Sequence, residues 1–145
     1  MRTYSSLHVH IIFATEGRAP MIDGAWRQDL HNYIGGIVHG LDAKALIIGG
    51  VADHVHILMG LRTKHSVADL VRETKKASNA WAGERYAEFG WQSGYAAFAV
   101  DSSNVKRVCA YIANQEAHHH KVGSADELRA ILIEHGLEID EVNWE

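Results

Sequence analysis

Two runs of eight residues follow one another with almost no chain between them. They are KALIIGGV at 44–51 and HVHILMGL at 54–61, and only Ala52 and Asp53 separate them. Both runs are rich in the apolar and β-branched residues that strands favour. Because a two-residue connection permits only a tight turn, the pattern predicts a β-hairpin near the centre of the chain.

The remaining patterns predict strands and helices on either side of this hairpin. Two further strands are predicted, over 5–15 and over 95–100. Two helices are predicted between them, one over 23–40 with Asp23 as its N-cap and one from Ser66 to about Tyr86. Two more helices follow: one runs from Ser102 or Ser103 through Tyr111 and Gln115 to about Lys121, and the last opens with a capping box at 124–127 and stops at Gly136. This order predicts an α+β fold, a ferredoxin-like or RRM-like antiparallel sheet with helices packed on one face.

Length and composition predict one cytoplasmic domain. The 145 residues, 47% apolar and 22% charged, are enough for a single core, so we expect one domain over 1–145. No apolar run approaches the roughly 20 residues of a membrane span, and no N-terminal signal pattern is visible. Cys109 is the only cysteine, so no internal disulfide can form. We therefore expect a cytoplasmic protein with no membrane partner.

The charged residues are distributed unevenly. The net charge of −4 alone disfavours a nucleic-acid partner, because phosphate binding depends on lysine and arginine. However, residues 124–145 contain seven acidic residues and one basic residue, which leaves 13 basic and 11 acidic residues in 1–123. A slightly basic body with an acidic C-terminal segment remains compatible with DNA binding.

The tripeptide His-Val-His occurs twice, at 8–10 and at 54–56. On a strand, residues i and i+2 point to the same face, roughly 6.5–7 Å apart along the backbone, so two imidazoles can converge on one metal ion. Either pair satisfies this geometry. Either pair is also compatible with two partly buried, hydrogen-bonded histidines, so spacing alone does not choose between them.

A third feature is the segment YIANQ at 111–115. On one helix, Tyr111 and Gln115 lie on the same face because four residues separate them. A tyrosine nucleophile beside an amide oxygen that can complete a metal site is therefore available. The spacing is equally compatible with a packing tyrosine whose hydroxyl reaches the surface.

These motifs together resemble a known family, the single-tyrosine "HUH" transposases of small bacterial insertion sequences, which are the IS200-like transposases and their REP-associated relatives. The HUH name describes a metal-binding strand with the pattern His, apolar, His. The similar segments are HVHIL at 54–58 preceded by Asp53, WQSGY at 91–95 followed by Phe98, YIANQE at 111–116 followed by His118 and His119, and the ending at 138–145. Glu16 and Gly17 depart from the basic or polar pair that is common in the family.

The resemblance implies a catalytic apparatus. It places His54, His56 and Gln115 as ligands of Mg²⁺ or Mn²⁺, and Tyr111 as the nucleophile. The implied reaction cleaves and rejoins single-stranded DNA through a 5′-phosphotyrosine intermediate. Of the other histidine pair, His10 aligns with a family histidine of the first strand, whereas His8 has no counterpart.

The resemblance also implies partners, namely single-stranded DNA with the hairpin ends of a mobile element, and a second copy of the chain in a homodimer with shared active sites. Five basic residues are predicted to bind the DNA backbone, although a solvated helix face would carry the same residues. They are Arg62, Lys64, Arg72, Lys75 and Lys76.

Three other classes of function share part of this pattern. A domesticated relative that binds or cleaves chromosomal repeat hairpins would share the same residues. A non-catalytic nucleic-acid-binding module would present stacking aromatic residues on its central strands, and 44–61 contains none. A histidine-triad hydrolase is disfavoured because Leu58 stands where its third histidine is required. The consecutive histidines at 118–120 point about 100° apart on a helix, so we expect them at the surface or near DNA.

Overall fold

The computed structural model describes residues 1–119 and 121–138. Its strands are β1 (Leu7–Ala14), β2 (Lys44–Val51), β3 (His54–Leu61) and β4 (Ala96–Val100). Its α-helices are α1 (Arg27–Gly40), α2 (Val67–Gly83), α3 (Val105–Ala113), α4 (Gln115–His118) and α5 (Ser124–Glu134), and short 3-10 helices span Glu16–Arg18 and Ser102–Asn104. His120 and the predicted family match over 139–145 lie outside the described residues.

The four strands form one antiparallel sheet in the order β2-β3-β1-β4. The hairpin has the predicted bounds, and the first strand lies between the two strands that it pairs with. In the register, Ile12 is opposite His56 and His10 is opposite Phe98. The α+β class and the ferredoxin-like plan are therefore confirmed.

One face of the sheet carries the hydrophobic core, and α1 and α2 pack against it. Alternate residues of β1 and β3 point to this face and are almost completely buried, because strand side chains alternate between faces. The central members of this core are Ile11, Phe13, Val55, Ile57 and Met59 from the sheet, Leu30, Ile34 and Val38 from α1, and Leu70 and Val71 from α2. The predicted packing of helices on one face holds for these two helices.

The helices that follow β4 lie over the opposite face, which the sequence analysis left without helices. Ile112 of α3 is fully buried, and its backbone oxygen approaches Gly49 of β2 so closely that a Cβ on that glycine would lie 2.3 Å away. His135, just after α5, stacks on Phe98 of β4 with ring centroids 4.5 Å apart. This second layer brings residues of the C-terminal third of the chain onto the histidines of β3.

The close approach at Gly49 yields a stability prediction. We expect Gly49→Ala to lower the free energy of unfolding by about 1–3 kcal/mol, since the backbone of α3 must move to admit the methyl group. Urea denaturation measures the change. Gly36→Ala is the matched control, because that position of α1 has open space around its Cβ, and alanine in a helix interior should stabilise by roughly 0.5–1 kcal/mol. Equal effects of the two substitutions would contradict the packing of α3 on β2.

Several helix boundaries differ from their predictions by a few residues, and two of the differences are larger. Helix α1 begins at Arg27 rather than near Asp23, because the Asp23 Oδ1 accepts a hydrogen bond from the Ala25 N–H, 2.7 Å away, in a turn ahead of the helix. The predicted continuous helix through Tyr111 is interrupted at Asn114, which separates α3 from α4. Helix α2 begins after Ser66, as predicted, and the Ser66 hydroxyl accepts from the Asp69 N–H.

In the described part of the chain, every helix is too short or too polar to cross a membrane.

Candidate active site

The second face of the sheet carries a buried histidine pair. His54 and His56 are 3% and 0% exposed, and their ring centroids lie 5.0 Å apart. Their shared orientation follows from the period of two residues along β3. Burial of two imidazoles requires partners for four ring nitrogens, and those partners define the site.

His54 is oriented by its neighbour in sequence. Its Nδ1 lies 2.7 Å from the Asp53 Oδ1, so the carboxylate fixes the proton on Nδ1 and directs Nε2 into the cluster. There, Nε2 lies 3.3 Å from both the Gln115 Oε1 and the Glu127 Oε1. Burial opposes charge on this ring, but the hydrogen bonds with Asp53 and Glu127 outweigh it and raise the pKa of His54 to about 9.

His56 connects the cluster to the first strand. Its Nδ1 is hydrogen-bonded to the His10 Nε2 at 2.8 Å, and its Nε2 lies 3.0 Å from the Glu127 Oε1. Burial, reinforced by the charge of His56, lowers the pKa of His10 to about 3, and burial also lowers the pKa of His56. His10 is thus a neutral partner that orients His56, while His8 contributes nothing to the cluster and has no hydrogen bond at Nδ1 among the described residues.

Tyr111 and Gln115 meet in this cluster although Asn114 interrupts their helix. The Tyr111 hydroxyl donates to the Glu127 Oε2, and its ring lies 5.8 Å from the ring of His56. Gln115 is 1% exposed, and its side-chain N–H donates to the same Glu127 oxygen at 3.0 Å. Burial and the adjacent Glu127 carboxylate raise the pKa of Tyr111 above its usual range, so the phenol is protonated at neutral pH.

Two residues of this cluster were missed by the sequence analysis. Glu127 was assigned to a capping box, but Gly123 is the N-cap of α5, and Ser124 donates instead to the Asp53 Oδ2 at 3.0 Å. The freed Glu127 carboxylate points into the site and is 4% exposed. No local pattern distinguishes this glutamate from a capping residue, so the sequence carried no signal for its role.

His119 is the second missed residue, since it was expected at the surface or near DNA. Its side chain is only 9% exposed, and its Nε2 lies 3.0 Å from the Gln115 Oε1 and 3.1 Å from the Glu127 Oε1. The spacing of four residues from Gln115 is a signal that could have found it. The His118 Nε2 lies 3.2 Å from the Glu127 Oε2 without hydrogen-bond geometry.

The donor set fits a divalent cation. His54, His56, His119 and Glu127 each place one ligand atom within 4.8 Å of the others. Asp53 holds the proton on the His54 Nδ1, so Nε2 is the ring nitrogen that faces the oxygens of Gln115 and Glu127. A divalent cation between these atoms would take the place of the proton that the raised pKa of His54 favours on Nε2. Imidazole nitrogens with carboxylate and amide oxygens suit Mn²⁺ and, less readily, Mg²⁺.

Two clefts open on either side of Glu127. One, of about 240 Å³, lies beside His54 and is lined by Arg18, Tyr95 and Leu128 among others. The other, of about 430 Å³, lies beside Tyr111 and is lined by Arg107, Ile131 and His135 among others. Glu127 therefore lines both clefts, together with His54 in the first and Tyr111 in the second.

No hydrogen bond or ion pair within the described residues joins the five basic residues predicted to bind DNA to this cluster. Arg62 and Lys64 follow the C-terminal end of β3, whereas His54 is at its N-terminal end. Both basic residues form ion pairs with Asp42. The others are on α2, which packs on the opposite face of the sheet. Of these, Arg72 pairs with Asp69 and Glu73, Lys75 donates to the backbone carbonyls of Gln92 and Gly94, and Lys76 is exposed. Their contact with DNA stays a prediction.

The chain is similar to known proteins in sequence and in fold. The family model described as "Transposase IS200 like" matches residues 3–115. A candidate transposase of Deinococcus radiodurans R1 has a similar structure, with a TM-score of 0.64, 22% sequence identity, and coverage of 79% of this chain and 95% of that chain. A REP-associated tyrosine transposase bound to a REP hairpin is also similar, with a TM-score of 0.64, 17% identity, and coverage of 84% and 74%. No curated protein sequence matches significantly.

Proposed function

The chain belongs to the IS200-like transposase family, and on that premise we propose that it cleaves and rejoins single-stranded DNA through a 5′-phosphotyrosine on Tyr111. The observation that carries the proposal is the convergence of the Tyr111 hydroxyl with Gln115 and the histidines of β3 around one carboxylate. We propose that His54, His56 and Gln115 hold Mg²⁺ or Mn²⁺ and that Tyr111 is the nucleophile.

The reaction exchanges one phosphate ester for another. The Tyr111 oxygen forms a bond to phosphorus, the bond from phosphorus to the 3′ oxygen breaks, and that oxygen takes up a proton from solvent and leaves as a 3′ hydroxyl. The phenol must lose its proton as the new bond forms, and the Glu127 Oε2, which already accepts its hydrogen bond, is positioned to take it. Attack by another 3′ hydroxyl reverses these steps and joins new ends, so no separate energy source is needed.

Charge on the reacting phosphate requires stabilisation. A bound divalent cation would neutralise the charge that develops on the phosphate oxygens and the departing 3′ oxygen. The contribution of the protein is orientation. Asp53 fixes the ring of His54, and His10 fixes the ring of His56, so both Nε2 atoms face the cluster without rearrangement.

We propose single-stranded DNA hairpins as the substrate class. The structural relative bound to a REP hairpin supports this choice. The basic residues Arg62, Lys64, Arg72, Lys75 and Lys76 remain proposed contacts to the DNA backbone. A domesticated endonuclease or binding protein for repeat hairpins is the alternative within the same superfamily. We further propose that residues 1–145 act as one transposase domain in the cytoplasm.

The decisive experiment determines which end of the cleaved DNA becomes covalently attached to the protein. A single-stranded hairpin DNA, labelled at either its 5′ or its 3′ end, is incubated with the protein and Mn²⁺ and separated on a denaturing gel. A 5′-phosphotyrosine predicts that the 3′ label migrates with the protein and that the 5′ label appears on a shorter, free strand. The opposite distribution, or no adduct at any Mn²⁺ concentration, would contradict the proposal.

The resemblance also implies a homodimer with shared active sites. In the described chain, Tyr111 already lies beside its own His56, so the geometry supports sites that are completed within one chain. Mixing Tyr111→Phe with the double variant His54→Ala/His56→Ala, under conditions of demonstrated subunit exchange, distinguishes the two arrangements. We expect the mixture to remain inactive. Recovery of the adduct on the chain that lacks the histidines would instead establish shared sites.

A further inference from the structure

We propose that Glu127 is an anionic ligand of the metal, so that α5 supplies part of the metal centre. This inference rests on the proposed function, because it concerns the metal that His54, His56 and Gln115 are proposed to hold. Glu127 lies beyond residues 3–115, the part of the chain that matches the family model. The ligand is therefore assigned from the contacts of this chain alone.

The position of one oxygen atom supports the assignment. The Glu127 Oε1 lies 3.0 Å from the Nε2 of His56, 3.3 Å from that of His54 and 3.1 Å from that of His119. Bonds of about 2.1 Å to one ion place neighbouring ligand atoms roughly 3.0–3.4 Å apart in octahedral or tetrahedral geometry. This oxygen thus has the spacing of a ligand toward each of the three imidazole nitrogens.

Hydrogen bonding alone accounts poorly for the same contacts. Three imidazole nitrogens converge on the Glu127 Oε1, and this oxygen can only accept, so each ring must present either a proton or a shared cation to it. Hydrogen bonding requires a separate proton on each of the three rings. A single divalent cation among the four atoms satisfies all three nitrogens and the carboxylate at once.

The second oxygen of Glu127 links this ligand to the nucleophile. The Oε2 accepts hydrogen bonds from the Tyr111 hydroxyl and from the Gln115 amide. Helix α5 is held in place by Ser124, which donates to the same Asp53 carboxylate that orients His54. The Glu127 carboxylate therefore contacts both the proposed metal ligands and the attacking Tyr111 oxygen.

The test measures Mn²⁺ binding to the full chain without DNA, by titration calorimetry and by electron paramagnetic resonance of free Mn²⁺. We expect Glu127→Gln to raise the dissociation constant for Mn²⁺ about 10-fold or more, since loss of groups that merely support ligands costs 10–100-fold. Asp126→Asn is the matched control. It removes one negative charge at an exposed neighbouring position of α5, and we expect less than a twofold change.

A second variant distinguishes the loss of a metal ligand from the loss of the fold. Glu127→Asp keeps the carboxylate but shortens its reach, so its affinity for Mn²⁺ should lie between those of the wild type and Glu127→Gln. If Glu127→Gln binds Mn²⁺ as tightly as Asp126→Asn or more tightly, the ligand role is overturned, and Glu127 is then a hydrogen-bond acceptor or occupies the metal position itself. Failure of the wild type to form a DNA adduct would overturn the proposed function while leaving this comparison intact.

Discussion

Phenylalanine in place of Tyr111 should abolish the covalent DNA adduct. The substitution removes one oxygen atom, the nucleophile, and leaves the ring and its packing against His56 in place. Without that oxygen no phosphotyrosine can form, so we expect adduct formation to fall below detection. The readout is the amount of labelled DNA that migrates with the protein on a denaturing gel.

The stability of this variant should change far less than its activity. Tyr111→Phe loses a hydrogen bond to the Glu127 carboxylate, and the expected cost in the free energy of unfolding is roughly 1.5–3 kcal/mol. Its Mn²⁺ affinity should fall by about 10-fold at most, because the tyrosine supports the proposed ligand Glu127 without being a ligand itself. Tyr33→Phe is the control, since that residue lies on α1 and is exposed. Adduct at the wild-type level from Tyr111→Phe would refute the assignment of the nucleophile.

Removing both histidines of β3 should have the next largest effect. The double variant His54→Ala/His56→Ala takes away two of the proposed ligands, and we expect its affinity for Mn²⁺ to fall by about 100-fold or more. The single substitutions His56→Ala and Gln115→Ala remove one ligand each and should raise the Mn²⁺ concentration that cleavage requires. Calorimetric titration with Mn²⁺ measures the affinities, and the adduct assay measures the requirement.

His8→Ala is the control for this prediction. His8 belongs to the other His-Val-His tripeptide, yet it does not contact the cluster, so its loss should change Mn²⁺ affinity by less than twofold. The cavities left at two buried positions also lower stability, so circular dichroism must first show that the double variant is folded. Loss of Mn²⁺ binding in His8→Ala with retention in His54→Ala would mean that the wrong histidine pair was chosen.

The sequence alone determined the features that depend on residues close together in the chain. The hairpin 44–61 has the predicted bounds, because a two-residue connection between two β-rich runs leaves one way to pair them. The period of two residues likewise places His54 and His56 on one face wherever the strand lies. The order of strands and helices was enough to predict the ferredoxin-like plan.

The tertiary structure decided which residues meet on the second face of the sheet. Both His-Val-His tripeptides have the same spacing, and only packing brings Gln115 and Glu127 to His54 while leaving His8 apart. The segment 124–127 satisfies a local capping pattern, so nothing in its sequence reveals that Ser124 bonds to Asp53, 71 residues away. Local rules describe contacts within about one helical turn or one strand pair, whereas this cluster forms through contacts between residues far apart in the chain.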